Sequence, residues 1–550
     1  MQPVFSNKRL LAILCFILLL GQLAVSAASA ASFVPDREFV QDRAALDLLQ
    51  KDAFRYFWED GEPNSGMAYE ANYNWDIRPI AVGGTGFGVA SLVVATDREW
   101  VSRADAVTRL LKIATFLRDK TPRSEMHGAL PHWINGETGE ALPFGNKDAG
   151  ADLVETSLLM QGLLIARAYF NGPGVEAKLR HVITELWEDV EWDWFTNGED
   201  SGLYWHWDPK RGFHHGLKIL GYNECLITYV LAVSSPTHPI SRKAFDYWTS
   251  GVEYLARMVN GYMLDASPHC GGPLFLAHYS FIGLDPRMLA DKFVTRGYFV
   301  RGVKQTLANR GYCLYDAPAE NGYAENFWGL TASQTPTGYA VSDPCHDNGA
   351  VAPTAAISSM PYTPHYSLQV LQNLAGNLKK KAWGPFGPYD ALSLRDDWAS
   401  DNYLAIDQLP MVCMVENYRS GLLWGLLMSD KEIRDGLSRA GFHLPDHEEG
   451  FPEATPALRR IDGNLVRDAY DIRRHPDTGR YEIPFFSKTV SRVLFTFTDA
   501  DGDEEFTCDV DARAGMNIFD FPQFMPRDGQ VLTLTMTTAE NKYTLPVRLH

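Results

Sequence analysis

Several familiar signatures are missing from this chain. Its seven cysteines include no Cys-x-x-Cys, so their spacing builds no zinc knuckle. There is no Gly-x-Ser-x-Gly, the elbow that presents a serine nucleophile, and no His-Glu-x-x-His, the helical zinc site of a metalloprotease. Positive charge is scarce: 50 Lys and Arg stand against 68 Asp and Glu, a formal charge of −18. So acidic a chain is a poor match for nucleic acid or an anionic membrane surface, whereas a neutral polymer suits it. Beyond residue 30 no apolar run approaches the roughly 20 residues that a membrane-spanning helix needs.

What is present begins with a targeting segment. Lys8 and Arg9 precede an apolar run from Leu10 to Leu20, and small residues end in Ala-Ser-Ala at 28–30, the pattern of a cleavable signal peptide. Cys15 lies inside the apolar run, which is not the setting of a lipid-attachment site. The expected product is exported to the periplasm, cell surface or medium, with no membrane association after cleavage. Losing Lys8 and Arg9 takes the formal charge from −18 to −20. Six cysteines then remain. Cys225 and Cys413 sit in apolar helical runs and read as buried thiols, while Cys270, Cys313, Cys345 and Cys508 are open to pairing in an oxidising compartment.

From about residue 41 to 440 helical periodicity dominates. Leu46, Leu48, Leu49, Phe54 and Phe57 recur at helical spacing over 44–57. Further helices are predicted over 87–96, 104–117, 153–170, 175–189, 224–233, 241–259, 286–308, 350–359, 367–378, 411–428 and 431–440. The segment 153–170 is apolar on nearly every side and reads as buried, whereas 175–189 is amphipathic. Helices that alternate in this way fit nested inner and outer rings, so the expected class is mainly α, an (α/α)6 toroid. The loops between them hold Trp192, Trp194, Trp205, Trp207 and Trp328. Loops of such length in a compact domain are usually functional. After about residue 445 the texture changes. VLFTFTD (493–499) and EFTCDV (505–510) flank a turn, and 531–538 pairs with 542–549 around Glu540 and Asn541. The predicted organisation is a signal peptide over 1–30, a helical domain over 31–444, and over 445–550 a linker with a small all-β, sandwich-like module. That module is read as structural ahead of carbohydrate-binding.

Carboxylates carry the chemistry. Asp148, Asp152 and Glu155 follow spacings of four and three, which place them on one helical face at the head of the buried helix. Helix starts favour acids through capping and the dipole, but three on one face exceed what a cap needs. Like charges so close raise at least one pKa, and that keeps a carboxylic acid protonated for general acid work. Glu224 opens another apolar helix, with Asn223 as its cap, after the loop GLYWHWDP (202–209) in which Trp205, His206 and Trp207 cluster. An acid beside aromatic platforms is the layout of a sugar subsite; a helix-start acid is the plainer reading. Aromatics make up 12 % of the chain, with 14 Trp and 24 Tyr, which serves pyranose stacking or simply a large aromatic core. Asp407 precedes a helix in which Glu416, Asn417 and Arg419 interrupt an apolar run. Buried charges cost several kcal/mol unless paired, so Glu416 and Arg419 either pair structurally or face a polar cleft.

Other motifs carry less. GGTGFG (83–88) lacks the strand and βαβ context of a dinucleotide loop and is read as a site of close helix packing. Asp499 to Asp503 has calcium-like spacing, but its glycine is misplaced for an EF-hand, so a β-turn is preferred. His214 and His215 have no third ligand nearby in sequence.

At these residues the chain resembles the glucoamylase-like superfamily and, more narrowly, the β-1,2-glucanases of glycoside hydrolase family 144. The matching blocks run in order over about 45–440: DLVETSLLMQGLL, GLYWHWDP, GYNECLITYVLAVSSPTHP, GGPLFLAHYSFIGLDPR, NFWGLTASQTPTGY, GAVAPTAAISSMPYTP and VENYRSGLLW. The resemblance implies an (α/α)6 barrel and inverting hydrolysis of β-1,2-glucan to short oligosaccharides, with no cofactor and no metal. On the family pattern Asp148, Asp152, Glu155 and Glu224 take acidic cleft positions and Asp407 another near the cleft. Leu409 departs from it, standing where a glycine is expected in a DQGP-like turn. Glu224 is then expected as general acid, with Asp407 or a member of the Asp148, Asp152 and Glu155 group activating water. Trp205, His206, Trp207, Tyr279, Glu416, Asn417 and Arg419 are the candidate sugar-contacting residues. The competing readings are hydrolysis of another glucan linkage on the same scaffold, a non-catalytic glucan-binding protein, and a structural scaffold.

Overall fold

The computed structural model describes residues 37–73, 75–144, 149–445 and, beyond them, 458–461, 464–467, 470–472, 481–487, 491–512, 515–521 and 530–549. The signal peptide over 1–30 and Asp148 lie outside the described residues.

The protein is mainly helical. In chain order the longer helices are α1 (Arg37–Glu59), α2 (Val82–Asp97), α3 (Arg103–Lys120), α4 (Leu153–Tyr169), α5 (Val175–Glu188), α6 (Leu226–Ser234) and α7 (Arg242–Trp248). They continue with α8 (Tyr298–Gly311), α9 (Pro353–Ser358), α10 (Pro364–Ala375), α11 (Ala405–Arg419), α12 (Leu422–Ser429) and α13 (Lys431–Ala440). Helices α2, α4, α6, α9 and α11 are buried along almost their whole length. They pack in sequence, α2 on α4 and α4 on α6. The helical turns Leu274–Ala277 and Ser280–Ile282 fill the place between α6 and α9. Helix α9 then meets α11, and α11 returns to α2, so the inner segments close a ring. The amphipathic helices between them, such as α3 and α5, pack against that ring with their apolar stripes.

Two glycines set the tightest crossing. A Cβ on Gly86 would lie 2.2 Å from the Leu158 carbonyl oxygen, and one on Gly162 would lie 2.0 Å from that of Gly86. Backbone meets backbone there, so the glycine run over 83–88 does serve close helix packing.

Some expected helices are shorter than their apolar patterns. The segment 241–259 is helical only to Trp248, and Arg257–Val259 then pairs with Tyr262–Leu264 as a hairpin. Gly251 interrupts the run, and the apolar residues after it serve the hairpin. The segment 286–308 becomes α-helical only at Tyr298, because Gly297 with φ 90° sets the start. Gly421, with φ 69°, splits 411–428 into α11 and α12. Helix α11 starts earlier than expected, at Ala405, and takes in Pro410. Asp407 therefore sits in its first turn instead of preceding it, and Leu409 is a fully buried core residue, not part of an open turn.

Cys225 and Cys413 are buried thiols, as expected, and Cys270 and Cys345 form a disulfide. Beyond α13 the described residues are strands. Ser491–Thr498 pairs with Glu504–Ala512 across a turn in which Asp499 Oδ1 accepts from the Asp501 and Asp503 amides. Val531–Thr537 pairs with Lys542–Leu549 as the second hairpin. Phe495, Phe497, Leu534 and Met536 share a small core with Ile483 and Phe485 of a separate strand pair. Among the described residues no helix is long and apolar enough to cross a membrane.

Candidate active site

The starts of the inner helices converge at one end of the ring. The Gly83 amide, in the first turn of α2, donates to Glu155 Oε2 in the first turn of α4 at 2.6 Å. The Ile227 amide of α6 donates to Ser280 Oγ, which in turn donates to the Glu224 carbonyl oxygen at 2.6 Å. Asp407 of α11 shares a cavity of about 10 Å³ with Thr354 and Ser358 of α9 and with His278 and Tyr279. Irregular loops close around these ends, and they bring in the rest of the site.

Asp152 is the N-cap of α4. Its Oδ1 accepts from the Val154 and Glu155 amides at 3.0 and 3.1 Å, and its Oδ2 meets His132 Nδ1 at 2.9 Å. His206 Nδ1 lies 3.8 Å from the same oxygen. Burial pushes the Asp152 carboxyl upward, but the His132 hydrogen bond and the charges of His132 and His206 win and hold it below its usual range. His132 is likewise opposed by burial, yet Glu155 and Asp152 raise it to about 9. The two form an ion pair at neutral pH.

Glu155 and Glu224 behave in the opposite way. Burial is the main cause in both, and each carboxyl is pushed up to about 7. The negative charge of Asp152 adds to the rise in each case. Glu224 lies just before α6 in a turn that the Asn223 side chain supports by accepting from the Cys225 amide. The helix begins at Leu226, two residues later than the sequence pattern suggests.

On the other side of the site Asp407 is 5 % exposed, with Tyr279 Oη 3.5 Å from its Oδ1. Asp390, from the loop before α11, is fully buried and accepts from the Gln334 amide at 2.6 Å. The two carboxyls face each other, and each keeps one buried oxygen, Asp390 Oδ1 and Asp407 Oδ2, with no donor. Burial first, and the Asp390 charge next, hold Asp407 well above its usual range. Burial moves Asp390 to about 6.

The structure thus brings together Asp152, Glu155, Glu224, Asp407, His206 and Tyr279. It corrects other expectations. Glu416 is fully buried and binds Arg98 through both carboxylate oxygens, at 2.8 and 2.9 Å. Arg419 pairs with Asp47 at 2.7 Å and Gln50 at 2.6 Å, not with Glu416. Asn417 ties the Ile282 carbonyl oxygen to the Trp424 amide. These three close the far end of α11, about 13–18 Å along the helix from Asp407 at 1.5 Å per residue, and their partners there are protein groups. Trp207 also turns away. His206 stands opposite Asp152 in a strand pair and Trp207 opposite Ala151, so alternation directs Trp207 to the other face. There it meets His127 and Trp194 at 4.7 and 6.0 Å. Trp205 lies next to His206 in the chain, and their ring centroids are 6.1 Å apart.

Sequence reasoning missed His132, Asp390 and also Glu70, whose charge acts on both His132 and Asp407. All three lie in irregular loops with no periodicity to place them. It also missed a run of rings beside the His132–Asp152 pair: Tyr73 to Trp75 at 4.7 Å, Trp75 to Trp133 at 6.0 Å, Trp133 to Phe144 at 4.9 Å and Phe144 to His132 at 3.8 Å. Trp75 is 46 % exposed, an open aromatic face of the sort a pyranose stacks on. Among the described residues the one grouping with metal-ligand spacing is His269, Cys270 and Cys345, and the disulfide consumes both of its sulfurs.

The chain is similar to several known proteins. A family model described as "Putative glucoamylase" matches residues 216–431. An exo β-1,2-glucooligosaccharide sophorohydrolase (non-reducing end) of Parabacteroides distasonis is 40 % identical over 422 residues, covering 72 % of this chain and 58 % of that protein. The chain therefore spans somewhat over half the length of that curated relative. The endo-β-1,2-glucanase of Chitinophaga pinensis, solved with sophorotriose and glucose, is 43 % identical with a TM-score of 0.71, over 74 % of this chain and 99 % of that one. A β-1,2-glucanase structure from Parabacteroides distasonis is 39 % identical with a TM-score of 0.69, over 73 % of this chain and 60 % of that one.

Proposed function

This chain belongs to the glucoamylase-like family of glycoside hydrolases, and from that membership we propose that it is exported and hydrolyses β-1,2-glucan to short oligosaccharides with inversion. The observation that carries the reading is Glu224, a carboxyl held near pH 7 by burial at the mouth of a ring of inner helices, among further carboxyls and exposed aromatics. A pKa near the working pH lets one group both hold and release a proton, as a general acid must. The alternation of inner and outer helices supports an (α/α)6 toroid as the scaffold, and the strand module fits a structural appendage.

In this reading Glu224 protonates the glycosidic oxygen. Asp407, across the site, takes a proton from water on the opposite face of the sugar, and its hydroxide attacks the anomeric carbon. Inversion requires about 6.5–9.5 Å between the two carboxyls, room for that water. Asp152, held ionised by His132, orients hydroxyls, and its negative charge adds to the burial that keeps Glu224 protonated. Trp75 and Trp205 offer ring faces to neighbouring glucosyl units. No step calls for a metal or an organic cofactor.

The test is a product screen of the purified chain on linear β-1,2-glucan, with laminarin, a soluble cellulose derivative and starch alongside. Short β-1,2-oligosaccharides from the first substrate alone, released as the inverted anomer by proton NMR, are the expected result. Products from another glucan only would overturn the linkage and keep the scaffold. Silence on every glucan would favour a glucan-binding protein.

A further inference from the structure

Among the groups that sequence reasoning passed over, Asp390 stands out by its partners. It sits on the loop before α11 with no exposed surface. Its Oδ2 is satisfied by the Gln334 amide, but its Oδ1 has no donor. Asp407 shows the complement: Oδ1 touches Tyr279 Oη, and the buried Oδ2 has no donor. Two buried carboxylate oxygens are both acceptors, and they become partners only when one of them carries a proton. One proton held between Asp390 Oδ1 and Asp407 Oδ2 would satisfy both orphaned oxygens and leave the pair one negative charge instead of two.

The surroundings keep it so. Glu70 adds a further negative charge facing Asp407. The charge of Asp407 acts on Tyr279, Tyr339 and Tyr73, and that of Asp390 on Tyr339 and Tyr73. His278 lines the cavity beside Asp407, but burial lowers it to about 3 and leaves it neutral, while Glu70 and the tyrosines bring only carboxyl and phenol groups. An isolated Asp407 in this setting would hold its proton and be useless as a base.

We propose that Asp390 is the proton partner of Asp407, taking the shared proton at the moment Asp407 receives one from the attacking water. This rests on the reading in which Asp407 activates water. The step balances. One O–H bond of water breaks and its proton goes to Asp407 Oδ1. The proton already on Asp407 Oδ2 moves to Asp390 Oδ1. The hydroxide forms the new bond to the anomeric carbon, the glycosidic bond breaks, and the leaving oxygen takes the Glu224 proton. The pair passes from one negative charge to none, so no second charge is created in the buried site. Asp390 also orders the hairpin Ser333–Thr335 and Gly338–Ala340 through Gln334, a structural role that the test must separate.

Asp390→Asn does so. The amide oxygen still accepts from Gln334 and the amide nitrogen still donates to Asp407 Oδ2, but the group takes up no proton. The expected result is a fall in kcat of about 10²-fold or more with KM within about threefold, the loss of a general base contribution. Wild-type activity should decline as the pH drops through about 6, where Asp390 takes up the second proton, and the variant's acid limb should leave that position. Wild-type kcat in Asp390→Asn with an unmoved acid limb overturns the proposal. So does a rise in KM that accounts for the whole loss. Asp407→Asn separates the underlying reading: if that variant stays active, Asp407 does not activate water and both ideas fall. If it is dead while Asp390→Asn is not, only the present inference falls. Should Asp390→Asn not fold, Asp390→Glu keeps the proton-accepting group. Retention of kcat within about tenfold is then expected, and a loss as deep as that of Asp407→Asn overturns the relay.

Discussion

Replacing Glu224 by Gln should remove activity and, at neutral to alkaline pH, make the protein more stable. The carboxyl is lifted from its ordinary 4.5 to about 7, mainly by burial. That is a rise of about 2.5 units, and at about 1.36 kcal/mol per unit it corresponds to about 3 kcal/mol. The sign follows from the proton. A raised carboxyl pKa means that the folded state binds the proton more tightly than the unfolded chain. Stability is therefore full below pH 4.5, falls between 4.5 and about 7, and stays reduced above. Glu224 is enclosed by protein on most sides but keeps part of its surface in the cleft, so about 3 kcal/mol is an upper bound. Gln has no such pH dependence. Urea unfolding of wild type and Glu224→Gln at pH 4.5 and pH 8 should show the wild type losing more stability between the two, by up to about 3 kcal/mol. Turnover of β-1,2-glucan by the variant should fall by about 10²- to 10⁴-fold with glucan binding retained. In the wild type, kcat/KM should decline as the pH rises through about 7, as Glu224 loses its proton. Near-wild-type turnover in the variant, or identical pH dependence of stability in the two proteins, would refute the reasoning.

Three further outcomes follow from the structure. Arg98→Ala leaves Glu416 buried without its bidentate partner and should cost about 3–5 kcal/mol in chemical denaturation, while the KM of the folded enzyme stays unchanged. A raised KM would return Glu416 to the cleft. Gly86→Ala forces a Cβ to within 2.2 Å of the Leu158 carbonyl oxygen. The α2–α4 crossing must open, at a cost of about 1–3 kcal/mol or more, read as a lowered Tm; an unchanged Tm would show that the crossing has slack. Treatment with EDTA should leave activity unaltered, and activity lost to chelation and restored by calcium would overturn the metal-free reading.

The helical body was legible because periodicity is a local property of the chain. Buried α4 and amphipathic α5 could be told apart by counting apolar residues, and the 431–440 helix matches to the residue. Apolar patterns misled where one run served two purposes, as over 241–259, which is part helix and part hairpin. Asp152, Glu155, Glu224 and Asp407 were found because acids leading into apolar helices are conspicuous. Glu416 and Arg419 were conspicuous for the same reason. Only their partners, Arg98, Asp47 and Gln50, show that they close the ring's far end.

Sequence by itself determined the secondary elements, the acidic character, the buried thiols and most of the carboxyls at the helix starts. Each of these depends on residues close together in the chain or on composition. Tertiary structure decided which carboxyls ionise. Asp152 and Glu155 are three residues apart on one turn, yet His132 holds the first ionised and burial lifts the second to about 7. Asp390 and Asp407 are joined in one site by a loop with no pattern of its own. Such differences come from desolvation and from charges supplied by distant segments, and a carboxyl's neighbours in space are fixed only when the ring closes.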